Sequence, residues 1–149
     1  MIEDRQFLKI IEQTPLVSID LIVENSQGEF LLGKRVNPPA QGFWFVPGGR
    51  IRKNETIADA FRRISATELG VSLSLPQAQL LGAYDHIYND NFLAEPGINT
   101  HYVVLGYALK LMDTSAIVAD DQHSQFRWWS RRDLLAANDV HENTKRYFE

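Results

Sequence analysis

The sequence predicts an α+β fold, an α/β/α sandwich in which a mixed β-sheet lies between helices. Strand-patterned segments dominate the chain, and the few helical segments carry an apolar stripe that must be buried against something. The 149 residues contain no repeat, low-complexity tract or linker. They therefore read as one domain, 1–149, able to bury roughly two-thirds of the surface of the unfolded chain.

The elements follow in order. In "EDRQFLKIIEQ", Phe7, Ile10 and Ile11 are spaced as on a short amphipathic helix. "PLVSIDLIVEN" is β-rich, with Val17, Ile19, Leu21 and Val23 on one face and Ser18, Asp20 and Ile22 on the other. "NSQG" is a hairpin turn into the strand "EFLLGKR", and "NPPAQG" is a loop. "FWFVPGG" is a short apolar strand stopped by Pro47 and two glycines. The next helix starts near Thr56, which with Asp59 forms a capping pair. Its stripe is Ile57, Ala60, Phe61, Ile64 and Leu69, and Gly70 is its stop. "QLLGAYDHIY" and "HYVVLGYALKL" are strands separated by "NDNFLAEPGIN", a loop long enough to suggest a function, closure over a ligand among them. "SQFRWW" is the last strand, "SRRDLLAA" a helix capped by Ser130, and "VHENTKRYF" one or two further helical turns. Phe43, Trp44, Phe45, Trp128 and Trp129 read as packing.

Composition excludes several classes. A net charge of −4 opposes a general nucleic-acid binder. No apolar run reaches the length of a membrane span, and no signal-peptide pattern opens the chain. The chain has no cysteine, hence no disulfide or thiolate metal site, which fits a cytoplasmic protein. The positive charge is uneven: Lys34, Arg35, Arg50, Arg52, Lys53, Arg62 and Arg63 fall within 30 positions. They are either a solvated face or a local anion site.

The stretch "GGRIRKNETIADAFRRISATELGV" has the outline of a phosphate-and-metal motif. Gly48 and Gly49 let the backbone bend and approach a ligand. A carbonyl freed there and the carboxylate of Glu68 suit a hard cation. Arg50, Arg52 and Arg63 can hold phosphate oxygens in planar, bidentate fashion. Gly49, five residues, Glu55, seven residues, Arg63, four residues, Glu68, one residue, Gly70 and Val71 together resemble the Nudix box. The resemblance implies the Nudix fold. The usual box has acids at the places of residues 64, 67 and 68, on one helix face, where they hold several divalent ions for water attack at phosphorus. This chain has Ile64 and Thr67 there and keeps only Glu68. One ion and one carboxylate suit a different reaction, in which a diphosphate departs and water attacks carbon.

That pattern, with "TPLVSIDLIVENSQGEFLLGKR", "PPAQGFWFVPGGR", "NTHYVVLGY" and "DDQHSQFRW", resembles the GDP-mannose mannosyl hydrolases, a Nudix subfamily, over nearly the whole chain. The resemblance implies inverting hydrolysis of GDP-mannose, and of GDP-glucose, with one Mg2+ that Mn2+ can replace. It implies a cytoplasmic homodimer acting on a small GDP-sugar, with no nucleic acid or membrane as partner. It assigns Gly48, Glu68 and Gln122 as metal ligands and His123 as general base. Asp20 would meet sugar hydroxyls or the charge developing at the anomeric carbon, the alternative being a structural ion pair. Arg35, Arg50 and Arg63 would meet the diphosphate, although Arg63 in this family often braces the loop through Glu55. Tyr102 would donate to the leaving phosphate, His86 would lie near the sugar, and Phe7 would stack on guanine. Three rivals stay open: a pyrophosphohydrolase cutting between phosphates, a Nudix module that binds a nucleotide sugar without turnover and, more weakly, transfer of the sugar to an acceptor other than water.

Overall fold

A computed structural model of the chain describes residues 1–117 and 123–149, with the side chains of all of these except His123 and Ser124. Its axis is β1 (Leu16–Glu24). Strand alternation puts Ile19, Leu21 and Val23, all fully buried, on one face and Asp20 and Ile22 on the other. Along one edge β1 pairs in parallel with β6 (Thr100–Lys110), from Leu16↔Tyr102 to Glu24↔Lys110. Along the other edge it pairs antiparallel with two strands in succession. β4 (Gly48–Arg50) takes Ser18 to Asp20, and β2 (Phe30–Arg35) takes Glu24. β2 also pairs with β3 (Trp44–Phe45) and β7 (His123–Trp129), and β5 (Gln79–Tyr88) lies against β6. The sheet is mixed, as expected, and it divides at β1. "FWFVPGG" is two strands instead of one, because Pro47 lends its carbonyl to Leu21 N–H (2.8 Å) and cannot itself donate to a ladder.

α2 (Ile57–Leu69) covers the Ile19 face. Thr56 caps it, its hydroxyl accepting from Asp59 N–H (3.1 Å), and Gly70 ends it in the left-handed conformation at φ 72°. Ala60, Phe61, Ile64 and Leu69 pack against Ile19, Leu21, Val23 and Leu109. Ile57 is exposed, so the stripe begins one turn later than its spacing suggests. α3 (Arg131–Ala136), capped by Ser130, and α4 (Glu142–Lys145) cover the other face. There Leu134, Val140 and Phe148 meet Ile22, Leu32, Trp44 and Trp129. The 3-10 turn Arg146–Phe148 follows, held where Arg131 Nε donates to the Phe148 carbonyl (2.7 Å). Helices thus lie on both faces.

α1 (Asp4–Gln13) buries Leu8 and Ile11, whereas Ile10 is exposed. Phe7 is half-buried. The loop 89–99 is built around Asn91, which is fully buried. Its amide donates to the carbonyls of Glu95 (2.9 Å) and Ile98 (2.7 Å) and accepts from Leu93 and Glu95 N–H. Every hydrogen-bonding site of one side chain is used to fix the loop, so in this structure it is a wall already built.

Candidate active site

Where the sheet divides, a cavity of about 520 Å³ opens between β1, β4, the end of α2 and the loops after β2 and β5. Asp20, Arg35, Gly48, Arg50, Arg63, Glu68, His86, Tyr102 and Phe7 all line it. Residues scattered over the sequence are thus brought to one place. Gln122 lies outside the described residues. For His123 the backbone alone is described, opposite Arg35 in the β2–β7 ladder.

Gly48 and Gly49 do not make the bend expected of them, and the structure gives a different reason for glycine at both positions. Neither has a positive φ, and both lie in β4 instead of a turn. A Cβ on Gly48 would strike Asp20 Oδ1 and come 2.6 Å from the Ile19 carbonyl, and one on Gly49 would come 3.1 Å from the Ile64 side chain. The glycines permit close approach of β4 to β1 and α2. Ile64 is 1% exposed and belongs to the core, so at this position the helix contributes packing, not a ligand. Thr67 borders the cavity without charge. Glu68, 3% exposed, stands in the last turn of α2 and faces the same cavity.

Among the described residues no cluster of three or more Asp, Glu, His or Cys side chains is placed to hold a metal. The donors at hand beside Gly48 are a buried carboxylate and backbone oxygens. A set of oxygens with one charge fits a hard divalent cation that keeps much of its water, as Mg2+ does. Glu68 and the Gly48 carbonyl would hold it.

Asp20 forms the floor. Its Oδ2 accepts from the Tyr147 hydroxyl (2.7 Å) and lies 3.9 Å from His86 Nδ1. Burial pushes the Asp20 carboxyl up to about 7, against the Tyr147 hydrogen bond and the charge of Arg35. Burial pushes His86 down to about 4, helped by the charge of Arg146. His86 is therefore neutral near pH 7, and its contact with Asp20 is no ion pair. The partner that a carboxylate on an apolar strand needs is a phenol, which the sequence reading missed. Tyr147 lies 127 positions away, beyond any local pattern.

The cations occupy one side. Arg35 Nε donates to the Pro39 carbonyl (2.9 Å), so the loop after β2 aims its guanidinium, which lies 5.9 Å above the Phe45 ring. Phe45 therefore walls the cavity as well as packing, stacked on His141 at 4.8 Å. Arg50 lies 4.8 Å over the Phe7 ring, and Phe7 meets Phe92 of the 89–99 loop at 5.4 Å. Tyr102 stands beyond them, its phenol pushed up by burial and so kept a donor.

Arg63 borders the cavity, but its guanidinium grips Glu55 through two bonds (2.7 and 2.9 Å) and the Arg50 carbonyl through a third (2.8 Å). It braces the loop that follows Arg50 and carries Arg52. The Arg63 hydrogen bond holds the Glu55 carboxyl down at about 2, below its ordinary 4.5. A depressed carboxyl contributes stability that is present above about pH 4.5 and lost as pH falls towards 2. Glu55→Gln is expected to lower stability at pH 7 by about 1–2 kcal/mol. Calorimetry against pH should show the gap to the parent closing below pH 4.5; a constant gap would remove this pair from the stability of the loop.

Comparison with known proteins agrees with this geometry. The NUDIX domain family profile matches residues 14–149. The low-salt glycan biosynthesis protein Agl8 of Haloferax volcanii is 39% identical over 127 residues, 85% of this chain and 78% of that one. The MutT NUDIX hydrolase of Burkholderia pseudomallei superposes with a TM-score of 0.73 at 25% identity, over 91% of this chain and 97% of that chain. The NUDIX domain of Shewanella oneidensis NrtR, solved with ADP ribose, superposes with a TM-score of 0.65 at 18% identity, over 95% and 92%, a likeness of fold. With a divided mixed sheet, an α2 that ends in a cavity-facing glutamate, and a family profile spanning all but the first helix, this chain belongs to the Nudix hydrolase family.

Proposed function

We propose that the protein hydrolyses a GDP-sugar, GDP-mannose and with it GDP-glucose, to GDP and the free sugar, by water attack at the anomeric carbon with inversion. One observation carries this reading. α2 brings a single carboxylate, Glu68, to the cavity, while Ile64 is committed to the core and Thr67 is uncharged. Attack at phosphorus calls for a cluster of acids and several ions; departure of a diphosphate from carbon calls for less.

In this reading Glu68, the Gly48 carbonyl and Gln122 hold one Mg2+, or Mn2+ in its place. An ion held there would supply positive charge against the negative charge that gathers on the departing GDP. Arg35 and Arg50 take up phosphate oxygens from the other side, and Tyr102 donates to the same group. Arg63 acts through the loop it braces. Phe7 stacks on the guanine. Asp20 opposes the positive charge that develops at the anomeric carbon, with His86 beside it as a neutral donor towards the sugar. His123 takes a proton from the attacking water. Diphosphate is a good enough leaving group to need no protonating acid, unlike the alkoxide of an ordinary glycoside. The Agl8 relative is named for glycan biosynthesis, a chemistry built on activated sugars. A homodimer and a cytoplasmic location accompany this reading by the same resemblance.

Hydrolysis of GDP-mannose in ¹⁸O-water tests it. Expected are β-mannose appearing first in the proton NMR spectrum, label in the sugar and unlabelled GDP. His123→Gln should lose most of the rate and still bind metal. GMP and mannose 1-phosphate with label in phosphate would instead mean a pyrophosphohydrolase, and binding with no product a sensing module.

A further inference from the structure

Asp20 and Gly106 are register partners in the adjacent parallel strands β1 and β6, so their side-chain positions rise from the same face of the sheet. Across β6, Gly106 pairs with Gly82 of β5. Two neighbouring glycines leave a bare strip of sheet beside the Asp20 carboxylate. The rings of Tyr147 and Tyr84 cover it, Tyr147 over Gly106. A Cβ on Gly106 would come 2.8 Å from Tyr147 Cε1 and 3.2 Å from Tyr84 Cε1. The two rings form a T-shaped pair, with centroids 4.7 Å apart. A side chain at 106 would crowd both rings and force Tyr147, the nearer, to shift.

The turn that delivers Tyr147 is anchored on both sides of it. Phe148 is buried in the core and its carbonyl accepts from Arg131, while Arg146 Nη1 donates to the Asp85 carbonyl (3.3 Å). Thus fixed, the Tyr147 hydroxyl donates to Asp20 Oδ2 at 2.7 Å. The other oxygen, Oδ1, occupies the space that a Cβ on Gly48 would fill. Each oxygen therefore has its own neighbour, and the rotamer of Asp20 is set from outside β1.

We infer that Tyr147, seated on Gly106, is the positioning residue of Asp20: its hydroxyl pins Oδ2 so that Oδ1 is the oxygen presented to the reacting sugar. The inference rests on the reading of Asp20 given above. It assigns the end of the chain a part in the reaction, through a residue that need not touch substrate. A carboxylate opposing charge at a single carbon is useful only if held to a fraction of an ångström, and a hydrogen bond to an ionised group is strong enough to hold it.

The test is a double-mutant cycle on GDP-mannose consumption, with the labelled bond followed in parallel. Tyr147→Phe removes only the hydroxyl and keeps the ring against Tyr84. It should lower kcat about tenfold or more with KM changed less than about twofold. In an Asp20→Asn background the same change should cost little further, because the group it positions has lost its charge. Gly106→Ala should lower kcat in the same direction. Equal losses in both backgrounds, or Tyr147→Phe within about twofold of the parent, would overturn the inference. So would a raised KM at unchanged kcat, which would make Tyr147 a binding contact. Label in phosphate with the coupling intact would overturn the carbon-attack reading and the sugar as the group that Oδ1 faces, leaving Tyr147 as the positioning residue of Asp20, and a parent that consumes no GDP-mannose would overturn both.

Discussion

Glu68→Gln is expected to lower kcat for GDP-sugar hydrolysis about a thousandfold or more, with the fold intact and the response to Mg2+ lost. The substitution keeps volume and shape at a site that is 3% exposed, so packing at the end of α2 is preserved. What it removes is the one carboxylate that α2 offers at the cavity, since Ile64 faces Gly49 in the core and Thr67 is neutral. The remaining donors, the Gly48 carbonyl and Gln122, are uncharged and bind a divalent ion weakly by themselves. Thermal melting with and without Mg2+ separates this from a folding defect. The parent should be stabilised by the ion according to its affinity, and Glu68→Gln should melt at one temperature in both conditions. A variant that keeps both its Mg2+ response and its turnover would show that the ion is held elsewhere, and the one-carboxylate account of the reaction would go with it.

The same helix shows how far sequence reaches. Thr56, Gly70 and the apolar stripe of α2 were readable because caps and 3.6-residue periodicity are local. The two-faced pattern of β1 was readable for the same reason, and it correctly singled out Asp20 as a carboxylate needing an explanation. Its partner was not readable, because contact with Tyr147 depends on how α4 and the last turn return across the sheet. Gly48 and Gly49 were recognised, but the bend expected of them is absent and their close packing was not foreseen. A glycine that avoids a clash with another strand carries no local signature that distinguishes it from one that makes a turn. Phe92 was missed likewise: the 89–99 loop stood out by its length, whereas its shape comes from the internal bonds of Asn91. Ile64 is the most informative case. Read as a missing ligand it speaks about chemistry, and read in place it is a core residue pressed on Gly49, so that one residue type answers to both constraints.

Asp20→Asn should show the opposite coupling between stability and activity. We expect kcat to fall about a hundredfold or more while KM changes little, and the variant to melt higher than the parent in the presence of chelator. Asn matches Asp in shape, and its amide oxygen can accept the Tyr147 hydroxyl bond, so the floor of the cavity stays in place. Only the charge goes. In the parent that charge is desolvated, which is why burial pushes the carboxyl up to about 7, and the hydrogen bond from Tyr147 and the field of Arg35 offset the cost only in part. A group that is unfavourable in the resting protein persists where it is needed in the transition state, and at the anomeric carbon the need is for negative charge beside a developing cation. The two measurements answer different questions. A higher melting point with lost turnover is the signature of a charge kept for the reaction. A lower melting point with little loss of turnover would mean that Asp20 serves the fold, as the acceptor that ties the C-terminal turn to β1, and the charge opposing the anomeric carbon would have to come from another side chain of the cavity.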